Sequence, residues 1–272
     1  MKCKKCVKKA VFLNPDYCKN HFIEYFEKKV KHTIDRFDML NRNDKVVVAC
    51  SGGKDSISTL HLLNKLHGNV SALAIDEGIS GYRPKTLMDL KLFCRENSIK
   101  LKIVSFKKEF KKTLDQMLKK QEHPCTVCGT LRRNLLNKYA KGFDKLATGH
   151  NLDDESQAIL MNLLKNQTFL LNSLGLVSRK NTNFVPRVKP LYFCSEKEVA
   201  TYALLKGFQI SFTECPNIAV AYRAQVRDSL NDYEKNHPGT KRNIIESFLK
   251  LKPNLQQEFI PRNVEKFNEM VG

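Results

Sequence analysis

Cysteine and histidine at metal-ligand spacing open the chain, where Cys3-x-x-Cys6 is followed by Cys18-x-x-His21. Four soft donors are the usual complement of a tetrahedral Zn2+ ion, and a closed site is structural because it leaves no coordination position for a substrate. Free thiols beside a surface histidine are the alternative reading. A second C-x-x-C lies in Pro124-Cys125-Thr126-Val127-Cys128-Gly129, and Cys215 follows in Thr213-Glu214-Cys215-Pro216. Three thiolates are one short of the four that normally hold an iron-sulfur cluster, so a cluster here would leave one iron open to an exogenous ligand. The competing chemistry is a Cys125/Cys128 dithiol working with Cys215 through disulfide and persulfide steps. Cys50, Cys94 and Cys194 have no partner spacing and read as small buried side chains.

Two further stretches have the chemistry of phosphate and proton handling. Cys50-Ser51-Gly52-Gly53-Lys54-Asp55-Ser56 stands where an apolar strand pattern gives way to a helical one. Paired glycines let the backbone turn and expose its N–H groups, two serine hydroxyls add donors, and the helix contributes its positive end. The spacing is neither that of a Walker A loop nor that of a dinucleotide fingerprint. Ala147-Thr148-Gly149-His150-Asn151-Leu152-Asp153-Asp154-Glu155 forms a second such corner. Its Asp153 and Asp154 read either as helix caps or as carboxylates that hold Mg2+ or take a proton.

The elements that must position these residues follow from periodicity. Strands are expected at Val46–Cys50, Val70–Ile75, Leu101–Phe106 and Lys145–Thr148. Helices are expected at Asp55–Leu66, Pro84–Glu96, Phe106–Gln121, Thr130–Tyr139 and Asp153–Lys165. That alternation implies an α/β domain with a mostly parallel, Rossmann-like sheet covered on both faces. Ahead of it, residues 1–30 read as a small zinc finger, with a helix from Lys31 to Asn43 as tether. The α/β domain spans 31–190, and 191–272 is a mainly helical tail with helices at Ser195–Lys206, Tyr222–Lys235 and Thr240–Leu251 and one strand near Phe208–Phe212.

Composition narrows the function classes. The basic start is not followed by an apolar run long enough for a signal peptide or a membrane span, so a cytoplasmic protein is expected. Nine cysteines are an odd number, which disfavours a purely structural disulfide framework and favours metal or redox chemistry. A net charge of +19, from 47 basic against 28 acidic residues, clusters at Lys2–Lys9, Lys107–Lys120 and Arg132-Arg133. A polyanion partner is its natural counterpart, and solvated lysine-rich helix faces are the plain alternative.

Taken together, SGGKDS, PCTVCGTLRR, GHNLDDE, ECP, the CxxC and CxxH finger, and the stretch from Ala221-Tyr222-Arg223 to Thr240-Lys241 resemble the PP-loop ATPases of the TtuA and cytoplasmic tRNA 2-thiolation protein family. The resemblance spans nearly the whole chain, although the family usually carries a second zinc finger and this chain has no cysteine after Cys215. It implies an ATP site of Ala49, Ser51, Gly52, Gly53, Lys54, Asp55, Ser56, Ile75, Arg132 and Gly149. It also implies a 4Fe-4S cluster on Cys125, Cys128 and Cys215, and catalysis helped by Lys54 and by Asp153 or Asp154. The implied reaction adenylates a tRNA uridine at its C2 oxygen with ATP and Mg2+, and sulfur then displaces AMP. Sulfide or a ubiquitin-like carrier would supply the sulfur, and a homodimer is compatible with this picture. A 2-thiocytidine synthase and a non-catalytic zinc-dependent tRNA-binding subunit are the rival expectations.

Overall fold

The computed structural model describes residues 1–118, 124–178, 184–211, 215–216 and 222–258. Lys119 and Lys120, Thr213 and Glu214, Ala221, and the segment 259–272 lie outside the described residues.

The chain begins as a compact loop closed by antiparallel bridges Lys2↔Lys9 and Phe12↔Tyr17. It runs directly into α1 (Lys19–Arg36), which buries Phe22, Phe26, Val30, Thr33 and Ile34 along one stripe. This corrects the expected Lys31–Asn43 tether helix. The apolar stripe starts with Phe22, inside the finger, and the helix stops before Asp38, whose φ of 45° is left-handed.

β1 (Val46–Ala49), α2 (Lys54–Leu66), β2 (Val70–Asp76), α3 (Arg83–Glu96) and β3 (Lys100–Ser105) follow as a strand-helix alternation. Short helices α4 (Phe106–Phe110) and α5 (Leu114–Leu118) replace the single expected helix, because Lys111 turns left-handed with φ 60°. α6 (Pro124–Ala140) begins earlier than expected and carries the second C-x-x-C in its first turns. β4 (Lys145–Thr148), α7 (Leu152–Leu164), a 3-10 segment (Thr168–Ser173) and the two-residue β5 (Arg187–Val188) complete the sheet. α8 (Glu196–Lys206), α9 (Tyr222–Asn236) and α10 (Thr240–Glu258) follow among the described residues. Phe208–Ser211 form no strand, and Phe212 lies outside the described residues. The fifth strand is Arg187–Val188 instead.

All strand pairs are parallel, in the order β3-β2-β1-β4-β5. β1 shows why the core has two halves. Val46 and Val48 pack into one apolar cluster with Phe26, Leu60 and Tyr202, while Val47 points to the other face with Leu73, Val104 and Leu135. A strand buried on both faces reads as a continuous apolar run, which Val46-Val47-Val48 is. The order in which strands are added reverses between β1 and β4, and such a switch point opens a crevice at the carboxyl ends of those strands. Both polar corners recognised in the sequence fall there.

Candidate active site and metal sites

The loop after β1 is a tight nest. Gly52 adopts φ +88°, and a Cβ there would lie 2.1 Å from the Thr86 carbonyl oxygen, so only glycine fits. Ser56 Oγ donates to the Gly53 carbonyl at 3.0 Å and accepts from the Ser51 N–H at 3.2 Å, while the Gly53 N–H donates to Ser51 Oγ at 3.3 Å. Gly149 on the opposite corner permits close approach, since a Cβ would come 2.8 Å from the Asp55 carbonyl carbon. Asn151 then ties the corners together by donating from Nδ2 to Asp55 Oδ1 at 3.0 Å.

Between these corners lies a cavity of about 220 Å3 lined by Ala49, Ser51, Asp55, Ser56, Ile75, Arg132, Gly149 and Asp154, among others. Seven residues expected for ATP thus meet at one volume; Gly52, Gly53 and Lys54 form the loop beside it without lining it. Lys54 Nζ stands 2.9 Å from Glu196 Oε1 and 3.3 Å from Asp55 Oδ2.

The adjacent carboxylates diverge. Asp154 forms a capping box with Asn151 at the start of α7, lines the cavity, and accepts from Arg223 Nη2 at 2.8 Å. Burial pushes its carboxyl above the usual range, against the pull of Arg223. Asp55 is raised by burial too, with Lys54 opposing. Asp153 does not line the cavity. Its Oδ2 accepts from the Glu196 N–H at 2.7 Å and its Oδ1 is 2.5 Å from Lys241 Nζ, both partners of this ion pair being buried.

Residues that the sequence reading passed over hold the cavity together. Arg83, only 2% exposed, donates to the Ile75 and Ser51 carbonyls, so it ties the end of β2 to the phosphate loop. It pairs with Glu77, another cavity-lining residue, at 2.7 Å; Glu77 also faces Arg132 at 3.8 Å. Their signal was weak, because Glu77 and Arg83 stand in ordinary loop and helix-start positions. Asn151, Arg223 and Lys241 stand inside stretches that carry the resemblance but were given no role of their own, and Glu196 has no motif meaning until the fold brings it to Lys54.

The thiol set adjoins this cavity through Arg132 and Glu77. Cys125 is exposed and Cys128 half-buried, both at the start of α6, and Cys128 and Cys215 pack against the same apolar cluster. Burial, then the Glu77 charge, pushes the Cys128 thiol up to about 11; burial, then Cys215, raises Cys125. Such thiols stay neutral unless a bound cation stabilises the thiolates, which suits a metal cluster. Among the described residues they are not a set whose donor atoms all lie within 4.8 Å of one another, whereas Cys3, Cys6, Cys18 and His21 are. A single ion needs the latter arrangement, while a cubane places each cysteine on a different iron and so spreads its ligands.

The N-terminal set has single-ion geometry. Cys6 Sγ and Cys18 Sγ are 3.7 Å apart, and His21 Nδ1 is 3.3 Å from Cys3 Sγ and 3.5 Å from Cys18 Sγ. Tetrahedral zinc with bonds of about 2.3 Å places its sulfur ligands roughly 3.8 Å apart. Cys50, Cys94 and Cys194 are buried, as expected of packing side chains.

The family described as PP-loop domain (ATP_bind_3) matches residues 23–233. A tRNA-5-methyluridine(54) 2-sulfurtransferase of Pyrococcus horikoshii is 38% identical over 98% of this chain and 87% of its own length. The tRNA 2-thiolation protein NcsA of Haloferax volcanii is 36% identical over 92% of this chain and 87% of its own. In three dimensions the chain is similar to the U34-tRNA thiolase NcsA from Methanococcus maripaludis, a structure that contains a [4Fe-4S] cluster. The TM-score is 0.82 and the identity 38%, over 93% of this chain and 88% of that one.

Proposed function

We propose, on the premise that this chain belongs to the tRNA 2-thiolation branch of the PP-loop family, that it uses ATP to activate a tRNA uridine and replaces the C2 oxygen with sulfur. The observation that carries this reading is one cavity between the phosphate loop and the Gly149 corner, lined by Glu77 and by Arg132 of α6, the helix whose first turns carry Cys125 and Cys128. Uracil oxygen is a poor leaving group. The uridine C2 oxygen therefore attacks the α-phosphate of ATP and pyrophosphate departs; hydrosulfide then forms the C2–S bond as the C2–O bond breaks and AMP leaves.

Within that sequence each residue has a physical task. The backbone N–H groups and hydroxyls of Ser51 to Ser56 hold the departing pyrophosphate, and Lys54 balances its charge after leaving Glu196 and Asp55. Asp154, whose raised carboxyl favours holding a proton, takes the uridine N3 proton and makes the C2 oxygen nucleophilic. Asp153 acts as a positioning residue, because it caps α8 beneath Glu196. Asp55 is the carboxylate that would hold Mg2+. Cys125, Cys128 and Cys215 would hold a 4Fe-4S cluster, which when bound offers an open iron to a sulfur ligand.

The relatives' names specify two different uridines, 54 and 34, so the substrate proposed is a tRNA uridine at the T-loop or wobble position. Sulfide or a ubiquitin-like thiocarboxylate is the proposed donor. Among the described residues no helix is long and apolar enough to cross a membrane, and the name of a 37% identical relative, cytoplasmic tRNA 2-thiolation protein 1, supports a reaction in the cytoplasm. Pyrophosphate release that requires both ATP and tRNA, with 2-thiouridine found in the digested tRNA, supports the proposal. Neither product in the presence of sulfide would remove it.

A further inference from the structure

Among the described residues Arg133 and Arg187 have no carboxylate partner. Arg133 follows Arg132 on α6, and its Nη2 donates to Thr130 Oγ1 at 3.3 Å. Its guanidinium rests against Gly129, where an added Cβ would meet Nη1 at 3.2 Å. Arg187 sits half-buried on β5 and donates from Nη2 to Asn137 Oδ1 at 2.9 Å, across to the same helix. Burial, then the nearby Arg133 charge, holds the Arg187 guanidinium below its usual value. Arg83, Arg132, Arg223, Arg227 and Arg242 each pair with a carboxylate. Among the described residues Arg36, Arg42 and Arg95 have no such pair but are exposed, whereas unpaired Arg187 is half-buried beside Arg133, likewise without a carboxylate.

Half-burying a guanidinium beside a second one is unfavourable twice over, through lost hydration and through like-charge repulsion. Thr130 and Asn137 orient the two forks but leave their charge unbalanced. An anion between them relieves both penalties, and a phosphate group matches guanidinium forks in geometry and charge. Neither residue lines the nucleotide cavity, so the phosphates of ATP are not that anion. Arg133 lies five residues beyond Cys128 on one helix, on the order of 7 Å along its axis at 1.5 Å per residue.

We propose that Arg133 and Arg187 clamp a backbone phosphate of the RNA substrate beside the second C-x-x-C, steering the strand over the β5 edge toward the cavity. The proposal rests on the tRNA reading above and adds to it a specific contact. A phosphate held there belongs to a nucleotide adjoining the one presented for chemistry, so the clamp acts on substrate capture and register.

The test measures tRNA affinity of the full-length protein over a range of salt concentrations, for wild type, Arg133→Ala, Arg187→Ala, the double variant and the double lysine variant. Each lost phosphate contact should lower the salt slope by about 1, while the lysine variant keeps the slope and loses part of the affinity. In turnover assays the double-alanine KM for tRNA should rise, with KM for ATP and kcat at saturating tRNA unchanged. Lys91→Ala with Arg95→Ala, two exposed cations removed from α3, should leave the tRNA slope and KM unchanged. Should Arg187→Ala fail to fold, Arg187→Gln keeps an amide against Asn137, and the exposed Arg133→Ala alone is decisive. An unchanged slope and tRNA KM in these variants overturns the clamp. So does a shift confined to ATP or to inhibition by pyrophosphate, which would assign the pair to nucleotide phosphates. A wild type that binds no tRNA overturns the reading on which the clamp rests, and is told apart because the variants then have nothing to lose.

Discussion

Lys54 and Asp154 carry opposite electrostatic burdens, and each makes a testable demand. The Lys54 ammonium lies within reach of Glu196 and Asp55, so its removal deletes the loop's mobile positive charge and leaves the backbone nest standing. Lys54→Ala should lower thiolation by about 10²–10³-fold, the usual cost of losing one stabilising group in a transition state, with zinc content unchanged. Turnover at the wild-type rate would remove Lys54 from the mechanism. Asp154 is held above the usual carboxylate range by burial. Its folded state therefore binds the proton more tightly than the unfolded chain does, so ionisation opposes folding. The stability of the wild type should fall as pH rises from the unfolded carboxylate pKa through the raised folded one. Asp154→Asn should lose that component, keep its thermal stability near neutral pH and lose thiolation. Comparison of thermal unfolding across the acidic range in both proteins checks the sign. A wild-type stability that rises through that window, by more than in the variant, would contradict it.

Among the elements, the helical tail proves to be part of the site's frame. α10 reaches α7 through Lys241 and Asp153, α9 reaches Asp154 through Arg223, and α8 offers Glu196 to Lys54. Because the Lys241–Asp153 pair is buried, Lys241→Ala leaves an uncompensated carboxylate and should destabilise the fold by about 3–5 kcal/mol. Denaturant unfolding measures this, and a change under 1 kcal/mol would show that water or relaxation replaces the pair. At the other end, Phe22 and Phe26 extend from the metal loop into the core, with Phe26 stacked on Tyr202 of α8 at 4.6 Å. Cys3→Ser should therefore lower zinc content and solubility or tRNA affinity without removing iron bound elsewhere. Metal analysis that finds no zinc in the intact protein would refute the structural ion.

The same elements show what could be read beforehand. Strong strands such as Val46-Val47-Val48 and the caps of α7 and α8 carry local signals, and four of the five strands were legible from them. β5 is two residues long, too short for a periodic pattern, and exists through its pairing with β4 and the bridge to Val177. The start of α1 was obscured by metal ligands sharing its first turn, and the left-handed residues that end α1 and α4 are Asp38 and Lys111, not glycine. Site residues with motif spacing were legible for the same reason, whereas Arg83, Glu77 and Glu196 act through contacts made far along the chain.

For the molecule as a whole, the central claim joins two chemistries in one crevice: activation of an oxygen by ATP at the β1–β4 switch point, and sulfur delivery at the start of α6. Cys125 and Cys128 are fixed by one helix, while Cys215 is brought to them by the fold from 87 residues beyond Cys128. The most direct measurement is iron content and tRNA thiolation by protein purified without oxygen, alongside Cys215→Ser. The account predicts brown protein with about four irons per chain that converts tRNA uridine to 2-thiouridine with sulfide and ATP, and a variant that loses both iron and activity while keeping its zinc. Iron-free protein that turns over well, with a persulfide trapped on Cys125 or Cys215, would contradict it and place the sulfur on a side chain instead.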